Sequence, residues 1–250
     1  MPVGLSPNQS NIQAALASFL SAVTGLTPGT TIISGQNNRV PEPAPPAFIV
    51  MTPIRFERLE TNLDTYADVK FTGSIAGTVL TVSTIILGTV TQGATLTGLN
   101  LLPGTVVGTQ LSGVGGGAGT YTVSPTQTVA TQTISAGGQT LTQGAECVVQ
   151  LDFHSADLTA GDLAQAVSTA FRDEYATDFF AGLAVPLNGI APLWADDPRQ
   201  APFLNAENAY EWRWTLDARL QANQALSIPQ EFADSVTVTP IGVQVKFPAH

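Results

Sequence analysis

The runs Thr78-Val79-Leu80-Thr81-Val82-Ser83-Thr84, Ala94-Thr95-Leu96-Thr97-Gly98, Thr105-Val106-Val107-Gly108, Thr120-Tyr121-Thr122-Val123-Ser124 and Thr128-Val129-Ala130-Thr131-Gln132-Thr133-Ile134 share one uncharged stretch. From Phe71 to Ala145 the chain holds no Asp, Glu, Lys, Arg or His. Short β-branched runs separated by Gly and other turn formers predict strands. Every charged side chain lies before or after the stretch. The pattern therefore predicts an all-β domain, residues 71–138, inserted into a charged domain made of residues 1–70 and 139–250. Gly77-Thr78-Val79-Leu80-Thr81-Val82 is echoed by Gly119-Thr120-Tyr121-Thr122-Val123 in turn-then-strand form. Between them, Gly113 to Gly119 has five glycines in seven residues and predicts a flexible loop. A phosphate-binding loop would need a following Lys and a helix, and neither pattern is there.

The composition narrows the function classes. A chain of 250 residues can bury a large core or carry one domain inside another. Charged residues are only 11%, well below the usual quarter, yet 44% apolar content argues against disorder. A net charge of −10 makes free nucleic acid a poor partner, because phosphate binding draws on clustered Lys and Arg. The wall of a nucleic-acid conduit is different, since acid there would act as a non-stick surface. The single cysteine, Cys147, excludes an intrachain disulfide and a cysteine metal cluster, and reads as a buried strand residue. No basic segment precedes an apolar core at the N-terminus, which predicts no secretory signal, and no apolar run is long enough to predict a membrane-spanning helix.

On the N-terminal side of the uncharged stretch, Ile12, Ala15, Leu16, Phe19, Leu20 and Val23 recur at helical spacing. They predict an amphipathic helix from Ser6 to Thr24 that stops at Gly25. Pro28 to Pro46 reads as a linker or arm, with Pro41, Pro43, Pro45 and Pro46 stiffening its end; a packed loop and a subunit-crossing arm are both open. Phe48 to Ile54 then predicts a strand that becomes half exposed where Arg55, Arg58 and Glu60 intersperse with Phe56 and Leu59. The following residues predict a hairpin-like excursion with the insertion at its tip, where a module is tolerated because its ends are close together.

On the C-terminal side, Cys147, Val149, Leu151 and Phe153 alternate with Glu146, Val148, Gln150, Asp152 and His154, and predict a strand with one buried face. Thr159 to Gly182 predicts one helix, capped by Thr159 with Asp162 as its partner, and buried along Leu163, Ala166, Val167, Ala170, Phe171, Tyr175, Phe179 and Phe180. Leu187 to Arg199 predicts a loop or short strand with a turn. From Tyr210, strict alternation places Trp212, Trp214, Leu216, Ala218 and Leu220 opposite Glu211, Arg213, Thr215, Asp217, Arg219 and Gln221. This predicts a long antiparallel strand with Trp212 and Trp214 in the core. Ile228 to Asp234 reads as a link, and Val236 to Phe247 as the strand that closes the sheet. The fold class is α+β: an antiparallel or mixed β-sheet packed against two helices, with an inserted all-β domain.

Chemistry-bearing patterns are sparse. No metalloprotease, CxxC, GxSxG or nucleotide-binding motif occurs. His154 neighbours Asp152 by strand alternation alone, on the side expected to be exposed, and His250 is the last residue. Asp196-Asp197-Pro198 reads as a turn, which carboxylates favour without any ligand. Glu211 with Arg213, and Asp217 with Arg219, share one strand face and read either as an intersubunit charge seam or as ordinary solvated alternation.

Outside the insertion, several segments resemble the neck or tail terminator proteins of tailed bacteriophages. These are the N-terminal helix, the strand with Met51-Thr52-Pro53-Ile54 and Arg58-Leu59-Glu60-Thr61-Asn62, the strand Tyr210-Glu211-Trp212-Arg213-Trp214, and the link Ile228-Pro229-Gln230-Glu231-Phe232-Ala233-Asp234 with its closing strand. The insertion separately resembles a Gly/Thr-rich β module of phage virion proteins. That likeness rests on Phe71-Thr72-Gly73-Ser74-Ile75, Thr95-Leu96-Thr97-Gly98, Pro103-Gly104-Thr105 and Gly119-Thr120-Tyr121-Thr122-Val123-Ser124.

The resemblance implies a structural virion protein of the neck, the tail–head junction, assembled in the host cytoplasm. It implies a homo-oligomeric ring of six copies that terminates the tail tube. Its partners would be the tail tube protein, a head-completion or connector protein and, in contractile tails, the sheath protein. DNA would pass the lumen non-specifically. No enzyme activity, cofactor, metal or membrane contact is implied. Arg55, Arg58, Glu60, Glu211, Arg213, Asp217 and Arg219 are the interface candidates, and Glu57, Glu60, Asp64 and Asp68 the candidates for an acidic channel wall. The alternative is a capsid or baseplate decoration or adhesion protein that works through the inserted module.

Overall fold

A computed structural model describes residues 4–36, 47–204 and 210–229. The elements in chain order are β1 (Leu5–Ser6), α1 (Gln9–Thr24), β2 (Ile32–Ser34), β3 (Ala47–Arg58), β4 (Leu63–Ala67), β5 (Lys70–Leu87), β6 (Val106–Gly113), β7 (Gly119–Ser135), β8 (Gly138–Ser155), α2 (Thr159–Phe171), α3 (Glu174–Ala181), β9 (Ile190–Ala195), β10 (Arg199–Gln200), β11 (Phe203–Leu204) and β12 (Tyr210–Pro229). The chain divides into two compact units, one spanning Met1–Thr65 and Thr140–Ser227, the other Tyr66–Gln139 and the chain from Ile228. The architecture is α+β, with mixed and antiparallel sheet packed against helices.

In the first unit the sheet order is β1-β12-β8-β3-β2, with β9, β10 and β11 also pairing β12, and β4 pairing β8. Cys147, Val149, Leu151 and Phe153 of β8 join Ile49 and Met51 of β3 and Leu216, Ala218, Leu220 and Ala222 of β12 in one core with the helices. This is the face that strand alternation predicts. Phe19 is its aromatic hub: its ring lies 5.5 Å from Phe171, Phe179 and Phe180.

Local chemistry sets the element ends. α1 begins at Gln9, not Ser6, because Asn8 and Asn11 exchange side chain-to-backbone hydrogen bonds at 2.9 Å and close a capping box. Ser6 belongs to β1, opposite Ala225. Gly25 ends the helix at φ 74, a conformation glycine adopts without steric cost. The helix expected from Thr159 to Gly182 is two helices, so the described residues of the first unit hold three. Asp173 stops the run by capping α3, its carboxylate accepting the Tyr175 N–H at 3.0 Å. Thr159 does not cap α2. Asp157 accepts the Thr159 N–H at 2.9 Å, and the Ser155 hydroxyl accepts the Ala160 N–H at 2.9 Å. The Pro28–Pro46 linker contains β2, which runs parallel to β3 with Ile32 opposite Ile49 and makes the sheet mixed. Residues 37–46 of that arm, and the closing strand expected at Val236–Phe247, lie outside the described residues. Pro53, which lacks an N–H, sits where the β3–β8 register slips by one residue.

In the second unit four of the five uncharged runs fall in three strands, in the order β5-β7-β6, all antiparallel. Thr120–Ser124 and Thr128–Ile134 are parts of β7, while Ala94–Gly98 makes only isolated bridges at Thr95 and Thr97. β5 folds back near Gly77, at φ 66, so that the Ser83 hydroxyl donates to the Thr72 carbonyl at 3.0 Å. At Gly73 a Cβ would stand 2.7 Å from the Thr81 carbonyl oxygen, a close approach that requires glycine. Phe71, Ile75, Leu80, Val107, Tyr121, Val129 and Ile134 are among the residues of a separate core.

Candidate functional site

The helices cover one face of the main sheet, and the polar side chains of β3, β8 and β12 share the other. Sequence alternation assigns Glu146, Asp152 and His154 of β8, and Glu211, Arg213 and Arg219 of β12, to this face. Their geometry shows how the strands are matched. Glu146 meets Arg219 at 3.3 Å, Asp152 meets Arg213 at 2.8 Å and His154 meets Glu211 at 3.1 Å. Every step along β8 is answered by an equal step back along β12, as an antiparallel register requires. Glu211, Arg213 and Arg219 of β12 therefore pair across to β8 within one chain.

The ladder continues onto β3. Glu146, opposite Glu57, also receives Arg55 at 3.3 Å, and Arg55 holds Glu57 at 2.9 Å. Two acids facing each other would repel, and the two arginines around Glu146 remove that penalty. At the other end the His154 ring stacks on Phe48, 4.6 Å between centroids. Asp152 Oδ1 accepts Arg213 Nε at 3.2 Å, Arg213 Nη2 at 2.8 Å and Gln150 Nε2 at 3.0 Å. These bonds satisfy a carboxylate that is almost wholly removed from water. His154 is only 7% exposed, which corrects the expectation that its side of the strand faces solvent. Alternation marks which residues share a face; it does not reveal that the second face is covered too.

The remaining candidates are scattered. Asp217 lies on the ladder face of β12, and no described cation pairs with it; its own carbonyl accepts the Asp196 N–H at 3.0 Å. Asp196 approaches Arg219 at 4.0 Å, and Arg172 fixes Asp197 at 2.8 Å while donating to the Ala195 carbonyl at 2.6 Å. Arg58 donates to the Glu60 carbonyl at 2.7 Å and to Asn62 at 2.9 Å, and the Glu60 carboxylate accepts the Gly144 N–H at 3.1 Å. These bonds fix the turn after β3. Asp64 is exposed on β4. Asp68 is exposed in the second unit. Trp212 is 36% exposed and, with Gln200, Pro202 and Glu211, lines a small surface recess, whereas Trp214 packs on the core. The sequence places both tryptophans in the core, but β12 outruns the helices at Trp212.

Cys147 is buried, and desolvation pushes its thiol pKa up to about 11, the opposite of an activated nucleophile. Among the described residues, no three His, Cys, Asp or Glu side chains are placed to hold a metal ion. The chemistry of this face is that of paired charges in fixed register.

Residues 104–244 match the family model described as phage neck terminator protein. The match begins inside the uncharged stretch and takes in β6 to β12, while α1 and β3 lie outside it. No curated protein matches the chain. Because the matched residues make up more than half of its length, the chain belongs to the phage neck terminator family.

Proposed function

We propose that the protein assembles into a closed ring of six copies that terminates the tail tube and joins it to head-completion proteins around the DNA channel. The family match over residues 104–244 carries this reading. A ring needs a heterologous interface that closes on itself, and a rigid sheet with a fixed charge register is a suitable frame for one. The net charge of −10 suits a lumen that DNA traverses without adhering.

Within this reading the working parts are residues 1–70 with 139–250, and residues 71–138 form an inserted module. Arg55, Arg58, Glu60, Glu211, Arg213, Asp217 and Arg219 are offered as interface residues, and Glu57, Asp64 and Asp68 as channel-wall acids. Asp217 is the ladder residue best placed to meet a neighbouring copy, because the described arginines around it already have acidic partners. Partners would be the tail tube and head-completion proteins, with the sheath protein added in a contractile tail. Electron microscopy of the purified protein and of intact virions tests the proposal. Sixfold rings at tail ends are expected. Protein spread over the capsid or baseplate would overturn the reading in favour of decoration.

A further inference from the structure

The main sheet has two outer edges, and they are finished differently. β9 is blunted: it contains Pro192, its register with β12 slips beside Arg219 and Leu220, and Arg172 occupies the Ala195 carbonyl. These are devices by which sheets avoid accidental pairing. On β3 the comparable devices, Pro53 and the register slip before Arg55, come at the start of the segment, and among the described residues nothing covers the backbone edge after them. Its partner β2 stops at Ser34, opposite Met51, and among the described residues only Gly35 continues the pairing, donating to the Met51 carbonyl at 2.9 Å.

The backbone beyond that point can be oriented from its bonds. Ile49 N–H reaches Thr31 and the Met51 carbonyl receives Gly35, so odd residues there face β2. The register slip between Pro53 and Arg55 reverses this order, and Leu59 N–H accordingly donates to β8 at the Gly144 carbonyl. Phe56 and Arg58 therefore present N–H and C=O groups outward, and no described residue pairs with them. The flanking side chains are apolar: Ile54 is 51% and Phe56 45% exposed. Charge places no demand on an incoming strand, because Arg55 and Glu57 satisfy each other, and Arg58 is held by Glu60 and Asn62.

We propose that the open edge of β3, from Ile54 to Arg58, accepts residues 235–245 of a second copy of this chain as an added strand. The occupant has the required chemistry. Ser235-Val236-Thr237-Val238-Thr239-Pro240-Ile241-Gly242-Val243-Gln244-Val245 has no charge, is rich in β-branched residues and spaces Ile241, Val243 and Val245 along one face. It lies in the 230–250 stretch that follows the last described residue, Pro229. A strand passed from each copy to the next is a heterologous contact and closes a ring, so this inference deepens the ring proposal and rests on it.

The test mixes full-length Phe56→Cys with full-length Val243→Cys and treats the assembled protein with a flexible bismaleimide. Buried Cys147 stays unreactive in both. A covalent dimer linking positions 56 and 243, present in the mixture and absent from either variant alone, is expected. Maleimide labelling of the thiol introduced at position 56 should also slow when assembly occurs. A link found only within single chains of the double variant overturns the proposal, as does labelling at position 56 that assembly leaves unchanged. Microscopy of the same wild-type preparation separates the two readings. Rings in which position 56 stays unprotected sink the edge assignment alone, and a 56–243 link without rings sinks the ring alone.

Discussion

Cys147 faces the helices from β8, and the absence of water around its thiol raises the pKa from 9.0 to about 11. The unfolded chain releases this proton first, so the thiol's contribution to stability is complete below pH 9 and is lost as pH rises toward 11. Over that window wild-type stability should fall by about 1 kcal/mol per pH unit more than that of Cys147→Ala. Urea unfolding of both proteins at about pH 8 and about pH 10.5 checks this. Parallel pH profiles would show that the thiol is not desolvated as the structure has it. The cavity left by the substitution shifts all values of the variant alike and does not enter the slope. Burial of Cys147 is readable from sequence because its neighbours at two-residue spacing, Val149, Leu151 and Phe153, are all apolar. His154 misleads by the same rule. Its polar face is buried by cross-strand partners and by Phe48, which lie 57 and about a hundred positions away in sequence.

Pairing of β8 with β12 is held by side chains as well as by backbone, and Asp152 is its most connected member. Asp152→Ala leaves Arg213 and Gln150 without the oxygen that three of their N–H groups share. Removing it should cost roughly 2 kcal/mol, since the arginine is only partly open to water and loses a charge-assisted pair. In a double-mutant cycle with Arg213→Ala, measured by thermal or urea denaturation, the pair should show a coupling of about 1–2 kcal/mol. Coupling near zero would make this an ordinary surface pair. Elements of this kind are partly legible in advance. The apolar stripes of α1 and of residues 159–180 are clear, as are the alternating faces of β8 and β12. The break at Asp173 is not, because helical periodicity continues through it, and only an aspartate placed to cap the next turn distinguishes one helix from two. The strand β2 hides inside a Gly- and Thr-rich segment whose three strand residues gain stability only from the parallel neighbour β3. The cross-strand ladder is readable in principle: acids at 146 and 152 answer arginines at 219 and 213 at equal spacing, but nothing in one strand alone announces its partner.

Two cores in one chain raise the question of whether the uncharged module is an independent passenger. Thr65 donates its hydroxyl to the Thr140 carbonyl at 3.4 Å, so the chain leaves the first unit beside the point where it returns. Among the described residues, the core of the first unit contains none between 66 and 139, and that of the second runs from Val69 to Ala136. Deleting residues 71–138 and joining Lys70 to Gln139 therefore removes no side chain from the first core and closes a short loop in place of a long one, a small entropic change. The shortened protein should unfold cooperatively in a thermal melt and still form rings by electron microscopy. The family match makes this a demanding test, because it begins at residue 104, inside the segment to be removed. A shortened chain that fails to fold would show that the module is not a separate domain, whatever its core suggests. A chain that folds and stays monomeric would place part of the ring contact in the module. Retained rings would assign assembly to the charged unit, where β3 and the β8–β12 ladder lie, and leave the module free to serve a different surface.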